Sequence, residues 1–419
     1  MPKPADTLTR STVRTNAGSA EKGAATSADS RRRLVWQIVL ATFFRLALNT
    51  ARRFVYPFAP LLSRDLHVPL TAVTTLIAVN QTTGLLGLAA GPVADRWGSR
   101  AVMRTGMALL VLGMMICAIA PIYGFVLAGL LLAGLAKTVF DPAVQAFVGH
   151  RVPYERRGMA IGAIETAWAG STLIGIPAMA LIIDQFGLRW SFLAMAVLGG
   201  LGFVILARVI PATPDSIASQ VPRQGILSSL AQLIRIRPAA GMLGFAFWMS
   251  MGNDNLFVVF GAWFERDFGV SLIALGFSSS VIGVAELMGE SITALWADRM
   301  GLKRSLIIGM MLATGCYALL PIIGTSLFAA LAGLFLIFLT FEFSVVCSFS
   351  VATELLPTAR ATMMAGVLAT AGIGRMIGAL CGGALWTWAG LWAVIAVSVA
   401  ATLLALASLL WGLRGRNLS

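Results

Sequence analysis

Charged and polar side chains stand inside the first long apolar segment of this chain. Arg45, Asn49, Arg52 and Tyr56 follow one another at the spacing of a single helix face, and Arg53 borders that face. Ionisable side chains are costly in an apolar segment, so they are candidates for function by default. We therefore take Asn49, Arg52, Arg53 and Tyr56 as candidate functional residues.

Later apolar segments carry further charged and polar candidates. Lys137 and Asp141 lie four residues apart, which predicts an ion pair on one helix face. The remaining candidates are Trp168, Asn253, Asn255 and Arg375. The opposing interpretation is that these charges only neutralise one another for packing, since five cations and six carboxylates lie within the apolar segments.

Carboxylates in the same segments are candidates for carrying protons. Glu286 and Glu290 are four residues apart and share a helix face, so their protons should leave in two coupled steps. A group that binds and releases H⁺ as water access changes is what proton coupling requires. The candidates for this role are Asp254, Glu286, Glu290, Glu165 and Glu342.

Composition indicates that the elements holding these residues cross a membrane. The chain is 58% hydrophobic and 12% charged, with a mean hydropathy of +0.86, whereas soluble domains carry about 25% charged residues. Apolar runs long enough to cross a bilayer recur along it. The twelve predicted spans are 35–62, 70–94, 101–120, 124–149, 158–183, 190–210, 240–264, 271–297, 305–322, 325–351, 361–387 and 391–412.

The distribution of positive charge predicts the orientation of the chain. Most of the 31 Lys and Arg residues fall in the tail and in alternate loops, which the positive-inside rule assigns to the cytoplasm together with both termini. The net charge of +13 is therefore explained by the basic residues of the cytoplasmic tail and loops, and nucleic acid is not an expected partner. The predicted location is the plasma or inner membrane.

The predicted organisation has two six-helix bundles, at 34–210 and 240–413. A polar basic tail at 1–33 is expected to be disordered, and 414–419 form a short second tail. The linker at 211–239 contains an apolar stripe at helical spacing, which predicts a short helix on the membrane surface.

An internal repeat relates the two bundles. The motif from Gly91 to Arg100 returns in degraded form from Ala294 to Arg304, and its aspartates, Asp95 and Asp298, lie 203 positions apart. Twelve spans in two parallel repeats, with this motif between spans 2 and 3, resemble the major facilitator superfamily. The resemblance implies an all-α membrane fold with two pseudo-symmetric bundles, and transport by alternating access. It also places spans 1, 4, 7 and 10 around a solute cavity, which implies that the candidates named above line this cavity and that those on span 1 bind the solute or gate its passage.

The repeated motif has a physical rationale. A carboxylate at the end of span 2 can face the N-terminus of a neighbouring helix, where free N–H groups favour negative charge. The resemblance implies that the motif latches the cytoplasmic side against span 11. The latch residues are Gly91, Asp95, Arg96, Gly98 and Arg100, and their copy between spans 8 and 9 is Asp298, Arg299, Gly301, Lys303 and Arg304.

Two further elements resemble drug and sugar efflux antiporters of that superfamily. These are the run from Gly170 to Pro177 on span 5 and the Pro57-x-x-Pro60 element on span 1. The sequence departs from these antiporters at Leu130, where many of them carry an arginine. The expected function is proton-coupled export of a small organic solute by a functional monomer in the lipid bilayer.

Other functions stay open on the sequence. Uptake or exchange of an anionic solute could use Arg52, Arg53 and Arg375 as counter-charges, and translocation of a lipid or lysolipid is a further alternative. A non-transporting membrane sensor is a remote one. An enzyme is not expected, because the sequence shows no catalytic triad, metal cluster or nucleotide-binding loop. We expect no metal and no cofactor, with a proton gradient as the source of energy.

Overall fold

The computed structural model describes residues 32–86, 97–211, 233–356 and 360–415. Within these ranges every regular element is a helix, and nine helices are long and apolar enough to cross a membrane. This confirms the predicted all-α membrane fold. The helices are numbered below by the predicted spans that they occupy.

The first half of the chain forms spans 1 to 6. Span 1 is interrupted between its two helices, where Pro57 and Pro60 lack the N–H groups that a continuous helix needs. The predicted span at 35–62 thus consists of two helices. The helices are Arg32–Arg53 and Ala59–Asp65 (span 1), Leu70–Thr82 (span 2), Ser99–Ile119 (span 3), Tyr123–Arg151 (span 4), Tyr154–Gly170 and Ile176–Phe186 (span 5), and Leu188–Val209 (span 6).

The second half repeats this arrangement. Span 7 is also interrupted, so spans 1 and 7 share a broken form, and spans 11 and 12 follow each other with a break at Ala389 and Gly390. The helices are Arg237–Phe257 and Phe260–Phe268 (span 7), Leu272–Met300 (span 8), Leu302–Ile323 (span 9), Leu327–Leu355 (span 10), and Arg360–Gly412 (spans 11 and 12).

Glycines in left-handed backbone conformations mark the repeat in three dimensions. Gly98 and Gly301, which precede spans 3 and 9, have φ of 79° and 83°. Gly187 and Gly390, which precede spans 6 and 12, have φ of 88° and 68°. Since side chains disfavour positive φ, glycine is needed at these turns. Each pair is separated by the 203 positions that relate the two aspartates, so the repeat extends to backbone geometry.

The two halves meet along spans 2 and 11 and along spans 5 and 8. Glycine allows close approach at both seams: Gly383 lies against Thr74, and Gly283 lies against the backbone of Ala169 and Leu173. Small residues at such crossings let helix backbones pack closely where a membrane supplies no hydrophobic driving force.

The end of the bundle remote from Arg32 is closed between spans 1 and 7. Gly261 lies against the carbonyl of Pro57, where any larger side chain would collide. The Tyr56 and Phe257 rings stack with centroids 4.3 Å apart, and Arg64 pairs with Glu265 at the surface. We call this set of contacts the remote closure.

Candidate functional site

Span 5 contains a π-helical turn near the centre of the molecule. Pro177 has no N–H to offer the carbonyl of Leu173, and the preceding residues Ser171–Gly175 form one turn of π-helix. The Ser280 hydroxyl of span 8 donates to this carbonyl at 2.9 Å. Such π-turns are frequent at functional sites. Here the turn presents Thr172 to the opposite half.

A buried ion pair joins the halves at this level. Arg53 of span 1 donates to both carboxylate oxygens of Glu286 on span 8, at 2.6 and 3.2 Å. Both side chains are only 3% exposed. Thr172 and the Trp168 indole donate to the same carboxylate at 2.9 and 3.2 Å. Glu286 thus receives four hydrogen bonds from the first half, which offset the cost of burying its charge.

A second polar chain crosses between the halves nearby. Arg52 donates to Gln81, and the Gln81 amide donates to the Tyr56 hydroxyl. The Tyr56 hydroxyl donates to Asp254 of span 7 at 2.7 Å. The Arg375 Nε atom lies 3.7 Å from the same carboxylate, which is close enough for attraction but too long for a hydrogen bond.

The two polar chains surround a central pocket with about 20 Å³ of free space, room for about one water molecule. Spans 1, 2 and 5 supply one wall and spans 7, 8, 10 and 11 supply the other. The side chains lining it are Arg52, Arg53, Tyr56, Gln81, Trp168, Asn253, Asp254, Phe257, Glu286, Phe338, Phe341 and Arg375. A solute larger than water therefore requires these side chains to move apart.

Trp168 lies among three cations of the site. Its ring centroid is 4.1 Å from the Arg53 guanidinium carbon, 5.4 Å from that of Arg375 and 5.6 Å from the Lys137 ammonium. An aromatic ring attracts cations electrostatically within about 6 Å. The indole thereby holds positive charges from spans 1, 4 and 11 around one point.

A separate charge cluster lies entirely within the first half. Arg45 pairs with Asp141 at 3.0 Å and with Glu165 at 2.9 Å, and Lys137 pairs with Asp141 at 2.6 Å. The two cations and two carboxylates balance in charge. We call these four residues the first-half cluster, since no residue of the second half contributes an ion pair to it among those that the structure describes.

Several predicted cavity residues lie outside the central pocket. Asn49 donates to the carbonyl of Ala167 within the first half, and Asn255 donates to Val394 and Ser398 of span 12. Both amides join neighbouring helices. Lys137 and Asp141 belong to the first-half cluster, so span 4 contributes no side chain to the pocket as it stands.

Two candidate carboxylates lie next to the pocket without lining it. Glu290 is half-buried one turn from Glu286, and Glu342 on span 10 is 7% exposed with its Cβ against Gly289. Neither has an ion-pair partner within 4 Å in the described part of the chain.

Much of the predicted latch falls outside the described residues. Gly91, Asp95 and Arg96 lie in an undescribed segment, and nothing is described of the Asp298 side chain. Gly98 and Gly301 form the turns reported above, Arg299 and Arg304 are exposed, and Arg100 is partly exposed. Lys303 donates to the carbonyl of Leu413 at 3.2 Å, which ties span 9 to the end of span 12.

Sequence reasoning missed part of the pocket. Gln81 is a polar residue in an apolar span, a signal of the same kind that identified Asn49, and it could have been found. Phe257, Phe338 and Phe341 have no such signal, because phenylalanine is common on every face of these helices. Thr172 gains its role only through the π-turn.

Known proteins resemble this chain over most of its length. A profile described as Major Facilitator Superfamily matches residues 38–252 and 242–417. An uncharacterised MFS-type transporter of Bacillus subtilis, YceJ, is 24% identical over 340 residues, which are 81% of this chain and 86% of that protein. The niacin transporter NiaP of Acinetobacter baylyi is 28% identical over 164 residues, 38% of this chain and 36% of that protein.

A solved structure shares the fold. The crystal structure of a bacterial homologue of the human lysosomal transporter Spinster, in an inward-facing and occupied conformation, superposes with a TM-score of 0.73. It is 13% identical, and the match covers 91% of this chain and 97% of that one. At this identity the likeness shows the fold alone.

Proposed function

Because this chain belongs to the major facilitator superfamily, and is therefore a multi-pass secondary transporter and not an enzyme, we propose that it couples solute movement to H⁺ through Glu286. The solute is a small organic molecule that occupies the central pocket. Transporters of this family need no cofactor, and among the described residues no cluster could hold a metal ion. A proton gradient is the proposed source of energy.

The Arg53–Glu286 pair carries this proposal. Its partners belong to opposite halves, are almost fully buried and lie 2.6 Å apart. If the halves rock about the pocket, as alternating access requires, this pair must separate or rearrange. An unpaired carboxylate in a dry interior is strongly disfavoured. Binding of H⁺ removes that charge, so separation of the halves and protonation of Glu286 are linked.

The second polar chain supports a role for the pocket in the same movement. Tyr56 and Asp254 also belong to opposite halves, and their 2.7 Å hydrogen bond lies beside the remote closure. Opening at that end would break this bond and expose Asp254 to water. Asp254 is the second candidate for the proton-binding group, whereas Glu165, Glu290 and Glu342 make no bond between the halves in the described part of the chain.

We propose export as the direction of transport. The support comes from the sequence elements on spans 1 and 5 that resemble efflux antiporters, including Pro57, Pro60 and Pro177. Inverted membrane vesicles test this direction, because their interior corresponds to the cell exterior. Export predicts that an inside-acid gradient drives solute into these vesicles, and accumulation under the opposite gradient would favour uptake.

We also propose that the Asp95 motif latches the face opposite the remote closure. The duplicated glycines support this proposal, since Gly98 and Gly301 make the same left-handed turn before spans 3 and 9. An Asp95→Asn variant is expected to lose turnover while it still binds solute.

Proteoliposomes with a pH-sensitive dye inside test the coupling. A panel of small solutes is added one at a time, and the internal pH is followed. We expect at least one solute to drive H⁺ movement in the wild type. Glu286→Gln should abolish this movement but retain exchange of labelled for unlabelled solute, because glutamine resembles the protonated carboxyl group.

Glu354→Gln is the matched control, since Glu354 is an exposed carboxylate near the end of span 10 and outside the pocket. It should transport like the wild type. Solute-driven H⁺ movement that persists in Glu286→Gln would reject Glu286 as the coupling group, and the same assay on Asp254→Asn would then test the second candidate.

A further inference from the structure

We infer that the transported solute is an organic anion, a monocarboxylate with an apolar body, held by the guanidinium of Arg52 together with that of Arg375. This inference rests on the proposed function, because it takes the central pocket as the solute site. It concerns the solute alone and applies to either direction of transport.

The charge of the pocket is the first support. Three arginines line it against two carboxylates, Asp254 and Glu286. Glu286 is fully engaged by Arg53, and Asp254 has only Arg375 at ion-pair distance. Arg52 has no carboxylate partner within 4 Å among the described residues, and its one hydrogen bond goes to the neutral Gln81. One positive charge of the pocket thus lacks a counter-ion.

Buried hydrogen-bond donors without partners are the second support for an anionic solute. The Nε atoms of Arg53 and Arg375 are buried and have no hydrogen-bond partner in the described structure. A guanidinium has donors and no acceptor, and leaving a buried donor without a partner is costly. The pocket therefore has surplus donors as well as surplus positive charge. A carboxylate supplies acceptors and the missing negative charge in one group.

The wall that the second half supplies indicates the chemical character of the rest of the solute. Phe257, Phe338 and Phe341 line the pocket from spans 7 and 10, and their rings favour an apolar neighbour. The free space of about 20 Å³ does not admit a solute body. Binding must therefore separate this wall, which also carries Arg375, from the wall of Arg52 and Arg53. A carboxylate between Arg52 and Arg375 would place an apolar body against the phenylalanine rings beside Arg375.

The other carboxylates nearby do not pair with Arg52. Glu290 and Glu342 lie outside the pocket lining with no cation within 4 Å in the described part of the chain, and the first-half cluster is balanced within itself. Within the pocket lining, a cationic solute would have to displace Arg53 from Glu286 or Arg375 from Asp254. An anion breaks no ion pair of Arg52, which has no carboxylate within 4 Å among the described residues, and at Arg375 it meets a guanidinium whose Nε lacks a hydrogen-bond partner.

Equilibrium binding to the purified full-length protein in lipid nanodiscs tests the inference. The probes are benzoate, phenylacetate and hexanoate, each compared with its neutral amide and with the amine of similar shape. At least one carboxylate is expected to bind ten or more times more tightly than its amide. Arg52→Gln and Arg375→Gln should each weaken its binding by about tenfold or more, as expected for a hydrogen bond to a charged group.

Two further variants make the result specific. Arg266→Gln is the matched control, because Arg266 packs over Trp386 outside the pocket, and it should bind like the wild type. Arg52→Lys keeps the charge but loses the planar pair of donors, so its affinity should fall between those of the wild type and Arg52→Gln. Thermal melting of each variant identifies any that fails to fold.

The inference fails if no carboxylate binds more tightly than its amide, or if an amine binds best. Transport separates this failure from a failure of the proposed coupling, with protein-free liposomes correcting for passage of the neutral acid. If only amines or neutral solutes drive H⁺ movement, the proposed coupling stands and the inference of an anionic solute is rejected. Saturable carboxylate exchange without H⁺ movement would retain the anion and reject the coupling.

Discussion

Two groups of paired charges lie within the helices of this molecule, and they differ in how they relate to its two halves. The first-half cluster joins spans 1, 4 and 5 of one bundle. The Arg53–Glu286 pair joins spans 1 and 8 of different bundles. Arg45 and Arg53 lie on the same helix, about 12 Å apart along its axis, yet their partners belong to different bodies.

On the proposed mechanism, this difference separates charges that hold one bundle together from charges that take part in the transport cycle. If one bundle rocks against the other, the first-half cluster can keep all its ion pairs, whereas the Arg53–Glu286 pair cannot stay unchanged. Charge balance in the whole membrane region is therefore a poor guide to function. What matters is whether the two partners belong to the same rigid body.

The largest expected effect comes from breaking the pair between the halves. Glu286→Leu leaves Arg53 buried without its counter-ion, which costs about 3–5 kcal/mol of stability. Thermal melting in detergent should show a large destabilisation. The double variant Arg53→Leu/Glu286→Leu should recover most of the melting temperature, since an apolar pair can replace a buried ion pair, but it should not transport. Recovered transport in the double variant would contradict a working role for the pair.

A smaller effect is expected from the first-half cluster. Lys137→Met removes one cation but leaves Asp141 paired with Arg45 at 3.0 Å. We expect moderate destabilisation, with the ratio of H⁺ to solute unchanged and a transport rate within about threefold of the wild type, because no contact between the halves is lost. Measured stoichiometry in proteoliposomes checks this. A changed ratio of H⁺ to solute would show that the first-half cluster takes part in the transport cycle, as the Arg53–Glu286 pair is proposed to do.

The smallest effect is expected at the surface of the remote closure. Arg64 and Glu265 also pair between the halves, but their side chains are 58% and 34% exposed. Exposed ion pairs contribute about 0–1 kcal/mol, so Arg64→Gln should only slightly raise the population that is open at this end. Distances between spin labels at positions 65 and 267 measure this population. A complete shift to the open form would show that even an exposed ion pair can hold this end closed when it joins the two halves.

The sequence predicted the fold better than the site. Long apolar runs and the duplicated motif are local signals, and within the described residues they correspond to helices and to the turns at Gly98 and Gly301. The exceptions are the breaks in spans 1 and 7, and the first of these is explained by Pro57 and Pro60. For the site, the sequence marked charged residues in apolar spans, but Asn49 and Asn255 join helices while the unremarked Gln81 and Phe338 line the pocket.

The partners of each charge could not be predicted for a physical reason. Helical spacing fixes which residues share a face of one helix, so it predicted the Lys137–Asp141 pair correctly. It carries no information about which face of another helix lies opposite. Asp254 is an example: it accepts a hydrogen bond from Tyr56, and Arg375 is the cation within 4 Å of it among the described residues.

The sequence by itself determined that this chain crosses a membrane as two related helical bundles, because hydropathy and repetition are properties of the chain alone. Only the tertiary structure decided which charges are shared between the bundles. Arg53 and Glu286 are 233 residues apart, and they meet because glycine-lined seams and the π-turn of span 5 bring spans 1, 5 and 8 together. Long-range packing, which no local pattern encodes, therefore decides which charges pair within one bundle and which pair between the two, the pairs that the proposed transport cycle would break.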